Sequence, residues 1–183
     1  AERMRATLAE VSRAQRDSEH PMLGAHEAVR NVELLVVTSD RGLCGAFNTG
    51  VIKAADQFLA ENHDRYENIY LSVFGRKARD YYRRRNREFK SAYLNPGEIL
   101  FSDAERVAGE IIDRYVEKAT DAVYIAYTRF RSAISHEVEI KRLLPVEPQE
   151  LKPDEVAVEY IYEPSEDALL ADILPRYIYT ELF

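Results

Sequence analysis

The sequence predicts an α/β domain with a mostly parallel central sheet and flanking helices, and one further helix at each end of the chain. Three observations lead there. Short β-branched apolar runs, VELLVVTS at 32–39 and AVYIAYTRF at 122–130, read as strands covered on both faces, as parallel sheets require. Amphipathic helical patterns alternate with these runs and supply the crossovers that parallel strands need. Segments 1–18 and 165–183 each carry an apolar helical stripe with no evident home on such a sheet.

Taken in order, residues 1–18 read as a helix. Met4, Leu8, Val11 and Gln15 recur at spacings of four, three and four, a seam narrow enough for a coiled-coil face. His20-Pro21 and Gly24 end it. The strand at 32–39 stops at Asp40 and Gly42. After the loop DRGLCG, a helix over 46–61 lines up Phe47, Val51, Ala55, Phe58 and Leu59. NIYLSVF at 68–74 is the second strand. Gly75 opens a short basic helix over 76–86. Residues 88–94 alternate Phe89, Ser91 and Tyr93 with polar neighbours, a short third strand before the Asn95-Pro96-Gly97 turn. In the helix predicted for 103–119, Ala104, Val107, Ala108, Ile111, Ile112, Tyr115, Val116 and Ala119 keep the helical period, and Ser102 with Glu105 has the form of a capping box.

The fourth strand is 122–130. Val138, Ile140 and Arg142 alternate with Glu137, Glu139 and Lys141 over 137–144, which suits an antiparallel or edge strand. PVEPQELKPDE at 145–155, with three prolines and four acids, is an exposed connector. Val156 to Tyr162 alternates again. Ser165 is placed as an N-cap, with Glu166 and Asp167 in the first turn of a last helix. Leu170, Ile173, Leu174, Tyr177, Ile178 and Leu182 make its stripe, bent at Pro175. No internal repeat is visible.

Composition narrows the function. The chain has 183 residues, 46% of them hydrophobic, enough for one full core. Seven glycines and seven prolines exclude collagen-like and low-complexity classes. No apolar run approaches the roughly 18–20 residues that span a bilayer, and AERMRATLAE has no apolar signal core, so nothing there suggests secretion. The single Cys44 excludes an internal disulfide and disfavours a cysteine-based metal site. A net charge of −7 argues against a globally basic nucleic-acid binder. Twelve tyrosines suit packed edges and interfaces more than a dry centre.

The loop SDRGLCG follows the first strand, where α/β folds bind phosphates. Its Gly42 and Gly45 are three apart, and no Walker lysine with Ser/Thr follows. Arg41 is placed to meet an anion and Asp40 a metal, but the preferred reading is a tight turn in which Asp40 or Ser39 caps local amides. A nucleotide-binding α/β enzyme using 39–45 remains the alternative. GRKARDYYRRRNR at 75–87 carries seven bases against Asp80, with Tyr81 and Tyr82 interleaved. A solvated face or a docking patch for an acidic partner fits an acidic chain better than nucleic acid does. Cys44 reads as a buried structural thiol. The histidines at 20, 26, 63 and 136 lie far apart in sequence, and none pairs at metal-ligand spacing. No catalytic, cofactor-binding or metal constellation emerges, so the chain reads as a mechanical or interaction module.

The stretch VVTSDRGLCGAFNTGVIK, residues 36–53, closely resembles the signature of the gamma subunit family of F-type ATP synthase. The resemblance continues through VFGRKARDYYRRR, AVYIAYTRFRSAISHEV with LLPVEP, and YIYEPSEDALLADILPRYIYTELF, in that order and over essentially the whole chain. Ala46 after Gly45 departs from the usual second glycine pair, and the dithiol insert of the chloroplast form is missing.

The resemblance implies a Rossmann-like domain at 21–164, with stubs of an antiparallel coiled-coil shaft at 1–20 and 165–183 that run longer in the family. Met4, Leu8 and Val11 would then pack across Leu170, Leu174 and Ile178. It makes Ser39, Asp40, Arg41, Gly42, Cys44 and Gly45 the family's signature loop. It implies a non-catalytic rotor without a cofactor, whose partners are the alpha, beta and epsilon subunits and the membrane c-ring. Nucleic acid and direct membrane insertion are not expected. The implied location is peripheral, on the cytoplasmic face of a bacterial inner membrane. Tyr160, Tyr162 and Glu163 match the family's Tyr-x-Tyr-Glu docking segment at the foot of the rotor. Two residues apart on a strand, the tyrosines share a face.

Overall fold

A computed structural model describes residues 26–40, 46–94, 101–130 and 136–146. Five strands and three helices follow in the order β1 (Asn31–Val37), α1 (Ala46–Asn62), β2 (Asn68–Phe74), α2 (Arg76–Arg84), β3 (Ser91–Tyr93), α3 (Phe101–Val116), β4 (Ala122–Phe130) and β5 (His136–Leu144). The helices expected at both ends of the chain, the strand expected at 156–162 and most of the 145–155 connector lie outside the described residues.

The five strands form one sheet in the order β3-β2-β1-β4-β5. β1 runs parallel to β2, from Asn31 against Asn68 to Val37 against Phe74, and parallel to β4 on its other side. β3 is parallel to β2, and β5 returns antiparallel to β4 at the edge. The α/β expectation of a mostly parallel sheet flanked by helices holds. β1 is central because its apolar run can be covered on both faces. Leu34 and Val36 point toward α1 and α2, where they meet Val51, Ala55, Leu59, Leu71, Val73, Ala78 and Tyr82. Leu35 points the other way, into a cluster with Val107, Ala108, Ile111, Tyr115 of α3 and Val123, Ile125, Leu143 and Leu144. Each such side chain contributes roughly 1.5–3 kcal/mol by leaving water.

Two helix ends differ from expectation for one physical reason. α2 stops at Arg84 and α3 at Val116, short of the predicted 86 and 119. In α2, Asn86 turns left-handed at φ 52°, and the N–H groups of Asn86 and Arg87 bond the carbonyls of Arg83 and Tyr82. In α3, Lys118 does the same at φ 59°, with its own and Ala119's N–H bonding Tyr115 and Arg114. Both are Schellman closures made without glycine, so no glycine marks them in the sequence. Val116, one step past buried Tyr115, is 46% exposed. At the other end α3 already includes Ser102, which is therefore not its N-cap. The tyrosine expectation also needs correcting: Tyr82 and Tyr115 are among the largest fully buried side chains. Their rings fill core volume between helix and sheet, and the phenol oxygen goes in with them.

Candidate functional site

The site singled out in the sequence lies at the carboxyl ends of β1 and β2. The register carries both strands to the same level, Val37 beside Phe74, so Thr38 and Gly75 are neighbours. Thr38 N–H donates to the Phe74 carbonyl at 2.8 Å, and Gly75 N–H to the Tyr93 carbonyl at 2.9 Å. Gly75 has φ +99°, and a Cβ there would lie 2.0 Å from the Thr38 carbonyl oxygen. Only glycine fits both the conformation and the approach.

The turn sets up α2. Thr38 Oγ1 accepts from Ala78 N–H at 3.0 Å, and an Asp40 carboxylate oxygen accepts from Arg76 N–H. Two of the helix's orphan amides are thus satisfied from the β1 loop, with a negative charge at the positive end of the dipole. Ser39 turns the other way. Its N–H donates to Asn48 Oδ1 at 2.9 Å, and Asn48 Nδ2 donates to Ser39 Oγ at 2.9 Å. Asn48 sits in the first turn of α1 and is buried, so the pair bridges the loop. Capping by Asp40 is therefore real but not local: it acts on a helix 36 residues away. An anion at the start of α2 would meet the Asp40 carboxylate already there. Arg41, Gly42, Cys44 and Gly45 lie outside the described residues.

The basic stretch is largely self-contained. Tyr81 Oη donates to Asp56 at 2.6 Å, and the Arg85 guanidinium lies 3.6 Å over the Tyr81 ring. The Asp56 bond, with burial second, raises the Tyr81 pKa. Tyr82 is buried edge-on to Tyr81, and burial pushes its phenol far up. Its hydroxyl has no hydrogen-bond partner among the described residues. Arg79 pairs with Asp80, while Arg76, Lys77, Arg83 and Arg87 are exposed. With one ring buried and the other covered, neither tyrosine presents an open face to a base.

Sequence reasoning missed a buried ion pair. Glu33, fully buried on β1, receives the Arg114 fork from α3: Nε to Oε2 at 2.9 Å and Nη2 to Oε1 at 2.7 Å. Ser72 Oγ donates to the same carboxylate at 2.6 Å. Tyr93 Oη, donating to Glu110 at 2.7 Å, extends the network. Burial opposes the Arg114 charge, but the bonds and field of Glu33 outweigh it and hold the guanidinium protonated. The one signal was a lone acid inside an apolar strand. At the amino end of the sheet, His26 Nδ1 lies 2.8 Å from Asp121 Oδ1, and its ring stacks on Tyr115. Among the described residues no group of three or more His, Cys, Asp or Glu gathers to hold a metal ion. No described helix is long and apolar enough to cross a membrane.

The family described as ATP synthase matches residues 1–183, the whole chain. The chain belongs to the ATP synthase family. Within it, the gamma chain of Anaeromyxobacter dehalogenans strain 2CP-C is 41% identical over 172 residues, covering 93% of this chain and 59% of the relative. That of Pelotomaculum thermopropionicum is 35% identical over 184 residues, covering 100% and 63%. The chain thus spans about three fifths of the length of these relatives. The central stalk and c-ring structure of the Tetrahymena thermophila mitochondrial ATP synthase aligns with TM-score 0.65 at 20% identity, over 99% of this chain and 88% of that one. The rotor of the Euglena gracilis mitochondrial enzyme aligns with TM-score 0.56 at 16% identity, over 98% and 74%. At those identities the structures speak for the fold. Thr38, Ser39 and Asp40, just past β1, thus tie that strand to α1 and α2. The residues expected to dock, Tyr160, Tyr162 and Glu163, and those expected to form the seam, Met4, Leu8, Val11, Leu170, Leu174 and Ile178, lie outside the described residues.

Proposed function

We propose that this chain is the globular part of the central rotor stalk of an F-type ATP synthase. It couples ion-driven rotation of the c-ring to ATP synthesis and hydrolysis in the alpha-beta head, and carries no catalytic residue itself. The observation that carries this reading is the match of the family over every residue of the chain. The site geometry supports it: Asp40 and Thr38, at the end of β1, are already engaged as caps of the Arg76 and Ala78 amides of α2.

The partners are the alpha, beta and epsilon subunits and the c-ring, with Tyr160, Tyr162 and Glu163 as the face set on the ring. Met4, Leu8 and Val11 pack across Leu170, Leu174 and Ile178 at the base of the shaft. The subunit is peripheral, on the cytoplasmic face of a bacterial inner membrane. Affinity purification of the full-length subunit brings down alpha, beta and epsilon, and a probe fixed to it turns when the head is given ATP. Failure to co-purify, together with stoichiometric micromolar ATP binding to this chain by calorimetry, would reject the rotor in favour of a nucleotide-dependent enzyme.

A further inference from the structure

We infer that His26 is a positioning residue, the fixed joint through which torque passes between the chain ahead of β1 and the sheet. This rests on the rotor reading. Connectivity comes first: the polypeptide leaving residue 25 must pass His26 to reach the central strand. His26 is held there on two sides. Its Nδ1 lies 2.8 Å from Asp121 Oδ1, 95 residues away in sequence. Its ring stacks on Tyr115 at 4.6 Å between centroids and 17° between planes. Tyr115 is fully buried in the core, so this support cannot swing aside.

Asp121 is the keystone. Its other oxygen accepts from the N–H groups of Arg30 and Asn31 at 3.0 and 2.8 Å, and its own N–H donates to the Asn31 carbonyl at 2.6 Å. One carboxylate therefore holds His26 and the first residue of β1 together, from a residue that itself leads into β4. Burial opposes its charge, but the Asn31, His26 and Arg30 bonds outweigh burial and keep it ionised.

Between the two fixed points, Glu27, Ala28, Val29 and Arg30 are exposed. Arg30 pairs with Glu67 at 3.5 Å, both side chains more than half exposed. Without His26 the first immobile point retreats to the start of β1, and this stretch becomes a soft lead in one of the two chain ends that join the domain to the shaft. A joint that stores twist there delivers it late to the sheet.

The test uses the full-length subunit assembled with an alpha-beta head that is fixed to a surface. The thermal angular fluctuation of a probe on the globular domain measures torsional stiffness. His26→Ala widens the angular variance about twofold, because a flexible lead replaces a clamped one. His26→Asn, whose amide nitrogen takes the place of Nδ1 beside Asp121, stays closer to the parent. Val51→Ala is the stability control: Val51 is buried near the start of α1, toward the opposite end of the sheet. It lowers the unfolding midpoint and leaves the variance unchanged. A His26→Ala variance equal to the parent's, or equal widening by Val51→Ala, overturns the inference. A parent assembly that hydrolyses ATP without turning the probe rejects the rotor reading instead.

Discussion

At Gly75 the chain has no room for one methyl group, since the Thr38 carbonyl oxygen stands 2.0 Å from where it would go. The same residue carries the caps of α2 into place. Gly75→Ala adds positive-φ strain and displaces the Thr38 and Asp40 bonds, so it costs about 2–4 kcal/mol in denaturant unfolding. Asp40→Ala removes one cap and costs about 1 kcal/mol. Asp121 gives a pH signature. Burial resists its ionisation, yet the bonds from Asn31, His26 and Arg30 leave its pKa below the ordinary value. A depressed carboxyl contributes stability that is fully present above its unfolded pKa of about 3.9 and is lost as pH falls through the folded value. The stability difference between the parent and Asp121→Asn is therefore constant near neutrality and shrinks below about pH 4. A difference that instead grows on acidification refutes the assignment.

Between elements, the Glu33–Arg114 fork is the polar bolt between β1 and α3. Arg114→Met leaves Glu33 buried and unpaired and costs about 3–5 kcal/mol, whereas Glu33→Leu with Arg114→Met recovers most of that loss, because two apolar side chains need no partners. A double variant no better than the single one contradicts this account. The same pair marks the limit of pattern reading. The run around Glu33 reads correctly as a buried strand, because five consecutive residues of β1 are covered. What periodicity cannot supply is the partner, 81 residues on and on another layer. Strand limits at 68–74 and 122–130 agree with the sequence because the apolar runs begin and end there. Helix ends at Arg84 and Val116 were illegible because Asn86 and Lys118 take a conformation usually marked by glycine. In the signature loop, the spacing of Gly42 and Gly45 spoke against a phosphate cradle. That Asp40 serves the helix after β2 follows only from the β1–β2 register.

On the scale of the whole molecule, the proposed rotor has two contacts to serve, the shaft and the ring. Glu163→Lys in a reconstituted complex reverses the charge at the proposed ring face. ATP hydrolysis stays largely intact while ATP-driven proton pumping falls several-fold, read as fluorescence quenching in sealed vesicles; unchanged pumping removes Glu163 from the docking face. The α/β sheet class and the family were legible, because burial patterns and four spaced sequence blocks are properties of the chain itself. The joint at His26 was not, since a lone histidine shows its carboxylate only once β1 and β4 lie side by side. The sheet order has a mechanical consequence. β1 is bonded along all seven residues to β2 and along five to β4. Tension on the chain ahead of Asn31 acts on a strand clasped from both sides. To extract it, the load must shear both ladders at once instead of unzipping a border strand bond by bond.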